Sequence, residues 1–463
     1  MKRFSIAVSL AAIWGYAAAS LPGADRPNLL LIVADDLGWA DLPAYGNTFH
    51  ETPGLDRLAR DGMRFTQFYS GAVCSPTRSN LQSGRHEARY GITQHIPGHR
   101  RPFAKLIDPA VPLQLPLEVE TVAERLAAAG YATGYFGKWH LGGAGFGPAE
   151  QGWGTVLELK GHDTPASVTG GEPKRTAAYL TEQAAKFIEA HRDGPFLVQV
   201  SHYAVHLPIS TRPDLLEKFQ AMAPMPGYPS RPDYAGLLAE LDESVAGLLD
   251  ALDRLGLAEN TLVVFVSDNG GLVHDQGGMV FTSNAPLRGE KGMLYEGGIR
   301  VPAIARLPGV IPAGSVSDLP AGTIDLHPTF LEMAGVTVAA GHDRPDGTSL
   351  LPVFRDPSAP LPREALFWHL PHYHHSSPAS AVRKGDWKLI EFYEDGAREL
   401  YDLSKDPGER DNLAKRNPDK TTELARDLAK WREAVGARMP LPNPDFDPAR
   451  AGELGKGKKE NRK

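Results

Sequence analysis

One cysteine stands in the 463 residues of this chain, at position 74. An internal disulfide needs two, so no covalent staple braces the fold and its core must hold by packing. Positive charge is not in excess: 49 Lys and Arg face 56 Asp and Glu, a net charge of −7. That balance argues against a nucleic-acid-binding surface. Long apolar runs are scarce too. Residues 4–19 form the longest, and it is short for a bilayer span, which takes about 18 residues or more. It follows Met1-Lys2-Arg3 and ends in Ala17-Ala18-Ala19, the pattern of a secretory signal peptide over residues 1–19. The mature chain is expected to begin near Ser20, secreted or periplasmic, with no membrane anchor. There is no internal repeat and no low-complexity tract.

What is present is an alternation of apolar strands and amphipathic helices over the first two-thirds. It predicts an α/β unit with a large, mostly parallel central sheet flanked by helices. Asn28-Leu29-Leu30-Leu31-Ile32-Val33 reads as a strand buried on both faces. Strands are expected at 131–136, 196–200, 261–266 and 300–305. Helices are expected from Thr52-Pro53 to Gly62 and over 121–129, 234–255 and 325–334. The texture changes after Asp356, where Pro357, Pro360 and Pro362 crowd together. Short runs at 365–369, 379–384, 387–392 and 399–403, with turns at Gly385-Asp386 and Asp395-Gly396, predict a smaller C-terminal antiparallel sheet. A last helix spans 420–435. The domains are then residues 20–356, residues 357–445, and a basic disordered tail over 446–463.

Cys74 heads the run Cys74-Ser75-Pro76-Thr77-Arg78. Ser75 and Pro76 read as N-cap and first helical residue. That sets Cys74 at a helix mouth, where backbone N–H groups favour an anion, with Arg78 on the same side. Position alone would equally allow a small buried hydrophobe.

Asp35-Asp36 follows the first strand, and Asp268-Asn269 follows the strand at 261–266. Carboxyl ends of strands are where ligands bind in open α/β sheets. Either pair by itself is more often a turn or a helix cap. Both together make an oxygen-rich set that suits Ca²⁺, with Mg²⁺ second, rather than zinc. Gly137-Lys138-Trp139-His140, Tyr203-Ala204-Val205-His206 and Arg288-Gly289-Glu290-Lys291 deliver basic side chains near other strand ends. If the first of these is extended, Lys138 and His140 face one site.

The Cys-x-Pro-x-Arg pattern with the following Ser83-Gly84-Arg85, and the segments just quoted, resemble the formylglycine-dependent sulfatases over roughly residues 26–440. The resemblance implies an alkaline phosphatase-like fold and a sulfuric ester hydrolase. It implies that a formylglycine-generating enzyme oxidises Cys74 to Cα-formylglycine, whose hydrate is the nucleophile. Asp35, Asp36, Asp268, Asn269 and the modified Cys74 are then the calcium ligands. Arg78 holds the hydrate, Lys138 and Lys291 clamp the sulfate, His140 is the base for its release, and His206 protonates the leaving alcohol. Val205 stands where the family commonly has Pro.

The similarity to bacterial polysaccharide sulfatases, with the leader, implies exo-action on galactose or N-acetylgalactosamine sulfate, at O4. A formylglycine enzyme for phosphodiesters or phosphonates is the alternative, since those substrates are monoanions too. A non-catalytic carbohydrate-binding protein would show erosion of this set, which is complete. The segment His369-Leu370-Pro371-His372-Tyr373-His374-His375 is a candidate for sugar hydroxyls and the pair Arg100-Arg101 for a neighbouring anionic sugar; both are equally chance loop residues.

Overall fold

The strand β1 (Asn28–Ala34) is buried along its whole length, and the rest of the large unit is arranged around it. This is a computed structural model describing residues 26–275, 277–337 and 344–455; the leader peptide expected at 1–19 lies outside the described residues. Alternate side chains of β1 enter two separate cores, as the period of two requires. Leu29, Leu31 and Val33 join one with Leu81, Leu126 and Phe330; Leu30 and Ile32 join the other with Leu180, Leu241 and Leu248. Helices therefore cover both faces.

In chain order the elements are α1 (Pro53–Asp61), β2 (Met63–Tyr69), α2 (Cys74–Ser83), α3 (Val122–Ala128), β3 (Ala132–Gly137), β4 (Thr155–Leu157), α4 (Thr176–Ala190), β5 (Phe196–Ser201), α5 (Pro232–Arg254), β6 (Thr261–Ser267), β7 (Arg300–Arg306), β8 (Ser315–Ser317), β9 (Ala321–Gly322) and α6 (Leu326–Met333). The sheet runs β8-β2-β7-β6-β1-β5-β3-β4, with β9 also on β2. Pairing is parallel except that β7 runs against both its neighbours. Register carries the consequence. Ala34 lies opposite Ser267, and Val33 opposite Ser201, while Gly137 lies opposite Ser201. The residues that follow β1, β6, β5 and β3 thus emerge side by side at one edge.

Past residue 356, β10 (Leu366–Leu370), β11 (Ala379–Lys384), β12 (Trp387–Phe392) and β13 (Arg398–Asp402) form an antiparallel sheet in sequence order. The turn glycines Gly385 and Gly396 take positive φ, 60° and 70°, which glycine adopts without a Cβ clash. One face packs on α7 (Pro418–Val435) through Val382, Leu389, Leu400 and Leu424. The other, with Trp368, Ala381 and Ile390, packs on Tyr69, Ala72 and Ile299 of the large unit.

Three features differ from expectation. Helix α2 begins at Cys74, with extended Val73 as its N-cap. Ser75 is inside the helix, because its hydroxyl donates to His140 O at 2.9 Å instead of capping. β2 and α4 were not anticipated: Arg64, Thr66 and Gln67 interrupt the apolar pattern of β2. Residues 446–455, expected in a disordered tail, lie against residues 100–103, where Asp447 N donates to Phe103 O at 3.2 Å and Gly455 N to Arg100 O at 2.8 Å.

Candidate active site

Asp35 and Asp36 leave β1 through a left-handed turn, φ 64° at Asp36, a conformation a short polar side chain tolerates. Asp268 N donates to Ala34 O at 3.0 Å, continuing the sheet one residue past β6. Cys74, the first residue of α2, is buried, and one ligand atom each from Asp35, Cys74 and Asp268 lie within 4.8 Å of one another. Asp35, Asp36 and His206 form a second such group.

The cations interleave with these acids. Arg78 donates through Nε and Nη2 to Asp268 Oδ2 at 3.0 and 2.7 Å, and through Nη1 to Lys138 O at 2.6 Å. Lys138 Nζ pairs with Asp35 Oδ2, and Lys291 Nζ with Asp36 Oδ1 at 2.6 Å. Three buried carboxylates face three buried cations. Burial pushes Asp35 up, but Lys138, His206 and Arg78 outweigh it and hold it below the usual carboxylate range. Burial and Asp35 push Asp268 up. Lys291 is raised despite its burial, because Asp36 lies against it.

The histidines have defined tautomers, since a carbonyl only accepts. His140 Nε2 donates to Ile96 O at 2.7 Å, which leaves buried Nδ1 with a lone pair and no partner. Burial and then Lys138 lower its pKa to about 4. The backbone there is left-handed, φ 60°, rather than extended, and Trp139 is buried in the core with Tyr135 and Trp153. His206 Nδ1 donates to Leu207 O at 2.7 Å, and its Nε2 lies 3.7 Å from Asp36 Oδ2. Burial lowers its pKa against the pull of Asp36. Val205 N donates to Asp35 O at 2.7 Å and Asp35 N to Ala204 O at 2.9 Å. The first of these bonds needs an N–H, which Pro would lack, so Val205 ties the His206 loop to β1.

All ten residues singled out in the sequence converge on this edge. Asp35 Oδ1, Asp36 Oδ2 and Asn269 Oδ1 are buried with no hydrogen-bond partner. Orphaned buried oxygens are costly unless something positive meets them. Three hard oxygen donors beside Asp268 fit a divalent cation of the calcium type. Three helpers escaped the sequence reading. Ser75 Oγ accepts from Ile96 N at 3.1 Å, Ser267 Oγ accepts from Leu37 N at 3.0 Å and donates to Asn269 O at 2.9 Å, and the Tyr203 ring lies 5.2 Å from Lys138 Nζ. Tyr203 was visible three residues before His206; Ser75 reads from the sequence as a helix N-cap, and Ser267 as one more residue of a buried strand.

A mostly parallel α/β sheet with an acidic, cation-lined site at one strand edge suits an enzyme that binds a metal ion and an anionic ester there. Comparison narrows this. The Sulfatase family model matches residues 27–336, and the model for the C-terminal part of N-sulphoglucosamine sulphohydrolase matches residues 289–434. A sulfatase from Formosa agariphila is 32% identical, covering 86% of each chain. The dog N-acetylgalactosamine-6-sulfatase is 34% identical over 73% of this chain and 67% of that relative. Among solved structures, Ps i-CgsB in complex with k-i-k-neocarrahexaose superposes with a TM-score of 0.76, 25% identity, and coverage of 91% and 94%. The chain belongs to the sulfatase family and is a sulfuric ester hydrolase.

Proposed function

We propose that this chain is a secreted, calcium-dependent sulfatase that removes sulfate from galactose or N-acetylgalactosamine units at a carbohydrate chain end, at O4. One observation carries the reading: around Cys74 three carboxylates are matched by Arg78, Lys138 and Lys291, yet three oxygens stay unpartnered. The protein's own charges sum to zero there. A divalent cation on the free oxygens makes the site positive, which then favours a monoanionic ester. The names of the dog relative and of the ligand bound to Ps i-CgsB support a carbohydrate ester.

Converted to Cα-formylglycine, Cys74 would supply a hydrated aldehyde as nucleophile, its hydroxyl acidified by a cation on Asp35, Asp36, Asp268 and Asn269. The remaining roles belong to the chain as it stands. Arg78, locked by Asp268, orients the side chain at position 74. Lys138 and Lys291 hold sulfate oxygens and keep positive charge where negative charge grows. His140 accepts a proton at its lone-pair nitrogen Nδ1 during sulfate release. His206, anchored through Nδ1 and acting as the imidazolium with its Nε2 proton beside Asp36, delivers that proton to the departing sugar oxygen and is left neutral.

Mass spectrometry of the Cys74 peptide is expected to find the aldehyde in active protein. Chelation is expected to abolish turnover, with calcium restoring it. Galactose and N-acetylgalactosamine 4- and 6-sulfates, assayed beside a nitrophenyl phosphodiester, decide the substrate. Active protein with an intact thiol, or faster phosphodiester cleavage, would overturn the reading.

A further inference from the structure

Three imidazoles meet beside the site just described, from segments more than 270 residues apart. His95 and His99 have ring centroids 4.5 Å apart, His99 stacks on His374 at 5.2 Å and 23°, and His95 lies 5.6 Å from His374. The two segments are joined along their length. Thr93 Oγ1 bonds His372 Nε2 at 2.8 Å, Gln94 Nε2 donates to Tyr373 O at 3.4 Å, and Arg101 Nη2 donates to His374 O at 2.7 Å.

This wall is tied to the machinery on both sides. His375 Nδ1 donates to Lys291 O at 2.8 Å, and a Cβ on Gly292 would come within 1.9 Å of His374 Nδ1. That nitrogen is buried without a partner, packed over Gly292. On the other side, His95 precedes Ile96, whose carbonyl holds His140. His95 Nδ1 donates to Gln94 Oε1 at 2.9 Å, which leaves its Nε2 as an acceptor.

Three rings this close, beside Lys291, cannot all be charged. Burial and neighbouring cations lower His95 to about 2, and His374 falls well below its ordinary value. A neutral imidazole both donates and accepts, as a sugar hydroxyl does. A carboxylate would need a free cation; Lys291 Nζ is paired with Asp36, and Arg101 is held through Nη2 on His374 O and over the Tyr373 ring, its one unpartnered nitrogen, Nε, being buried. Among the described residues the imidazole trio is not a converging metal-ligand group, unlike the two sets at the sheet edge.

We propose that His95, His99 and His374 form a subsite that reads the hydroxyls of an uncharged sugar ring next to the scissile sulfate. This rests on the carbohydrate reading above.

Binding is measured by calorimetry in the Cys74→Ala full-length chain, which keeps the substrate intact. The probes are a sulfated galactose oligosaccharide, a uronate-bearing sulfated oligosaccharide and inorganic sulfate. His95→Ala and His99→Ala are each expected to weaken the galactose oligosaccharide about tenfold, roughly one lost hydrogen bond. Inorganic sulfate should weaken far less. Asn at either position should recover part of the affinity, which a packing role would not allow. Parallel loss of both ligands, no loss, or tighter binding of the uronate compound would overturn the subsite. If the Cys74→Ala chain binds sulfate but no sulfated oligosaccharide, the carbohydrate reading itself fails. Should the variants not fold, protection of His95 and His99 from diethyl pyrocarbonate by the galactose oligosaccharide decides; absence of protection sinks the proposal.

Discussion

Two buried ionic clusters sit in this molecule, one at the edge of the large sheet and one where the small sheet docks. In the second, Lys388 Nζ reaches Glu296 Oε1 at 2.9 Å and Glu409 Oε1 at 2.8 Å, all three side chains fully buried. The remaining oxygens are used as well: Tyr69 donates to Glu296 Oε2 at 2.7 Å, and Glu296 N to Glu409 Oε2 at 2.6 Å. Each oxygen there meets a cation or a donor, Glu409 Oε1 through its ion pair with Lys388 alone, outside hydrogen-bond geometry. The first cluster pairs its charges equally well but leaves Asp35 Oδ1, Asp36 Oδ2 and Asn269 Oδ1 open. Buried charge alone therefore marks a structural tie; buried charge with spare oxygen valence marks a site.

Breaking each cluster should separate these roles. Lys388→Met strands two buried carboxylates, with an expected loss of about 3–5 kcal/mol in denaturant unfolding. Hydrolysis per folded molecule should stay close to that of the parent, because Lys388 touches no reacting group. Asn269→Ala removes an oxygen that nothing in the protein uses, so unfolding should change by only about 1–2 kcal/mol, from its two donated bonds. Its calcium affinity, read by titration after chelation, should fall at least ~10-fold. A reversed pattern, with Asn269→Ala the more unstable and Lys388→Met the less active, would dissolve the distinction.

A smaller effect tests the histidine at the open cluster. His206→Ala should lower kcat on a sugar sulfate by about 10²–10³-fold, the worth of a positioned proton donor. On nitrophenyl sulfate, whose leaving group needs little protonation, the loss should be far smaller. Equal losses on both substrates would remove His206 from the acid role.

How much of this was legible beforehand follows from what is local. The apolar runs of β1, β5 and β6 announce buried strands, and the acidic pairs after β1 and β6 announce ligand-bearing ends. What no local pattern contains is register: that Ala34 lies against Ser267 is what turns two separate pairs into one site. β2 was illegible because its polar positions face a partly solvated side. The start of α2 was misjudged because Ser75 spends its hydroxyl on the His140 carbonyl, 65 residues away. The wall of His95, His99 and His374 is built by packing between distant loops, and only the His374 half showed as a cluster.

Asp108 supplies the intermediate case, and the smallest effect. Its Oδ1 is buried and unpartnered like that of Asp35, and Oδ2 accepts only a 3.3 Å bond from Tyr373 N. Among the described residues no lysine or arginine lies within ion-pair distance of it; Arg101 acts on it only from further off, and His372 Nδ1 is 3.9 Å away. Burial therefore raises its pKa to about 7, whereas the cations around Asp35 drive that carboxyl down. The folded value lies above the unfolded one, near 3.8. The favourable contribution is thus complete below pH 4 and is lost as pH rises through 7. Asp108→Asn should erase that loss: the variant is expected to match the parent only below about pH 4 and to melt several °C higher at pH 8. A spare oxygen without a neighbouring cation would then be a pH-dependent liability, and the cations that accompany the spare oxygens at the sheet edge would be what keeps those carboxylates ionised and ready for a metal. A variant that melts lower at pH 8 would mean that Asp108 is held charged, by Arg101 or another partner, and that orphaned oxygens do not distinguish the two situations.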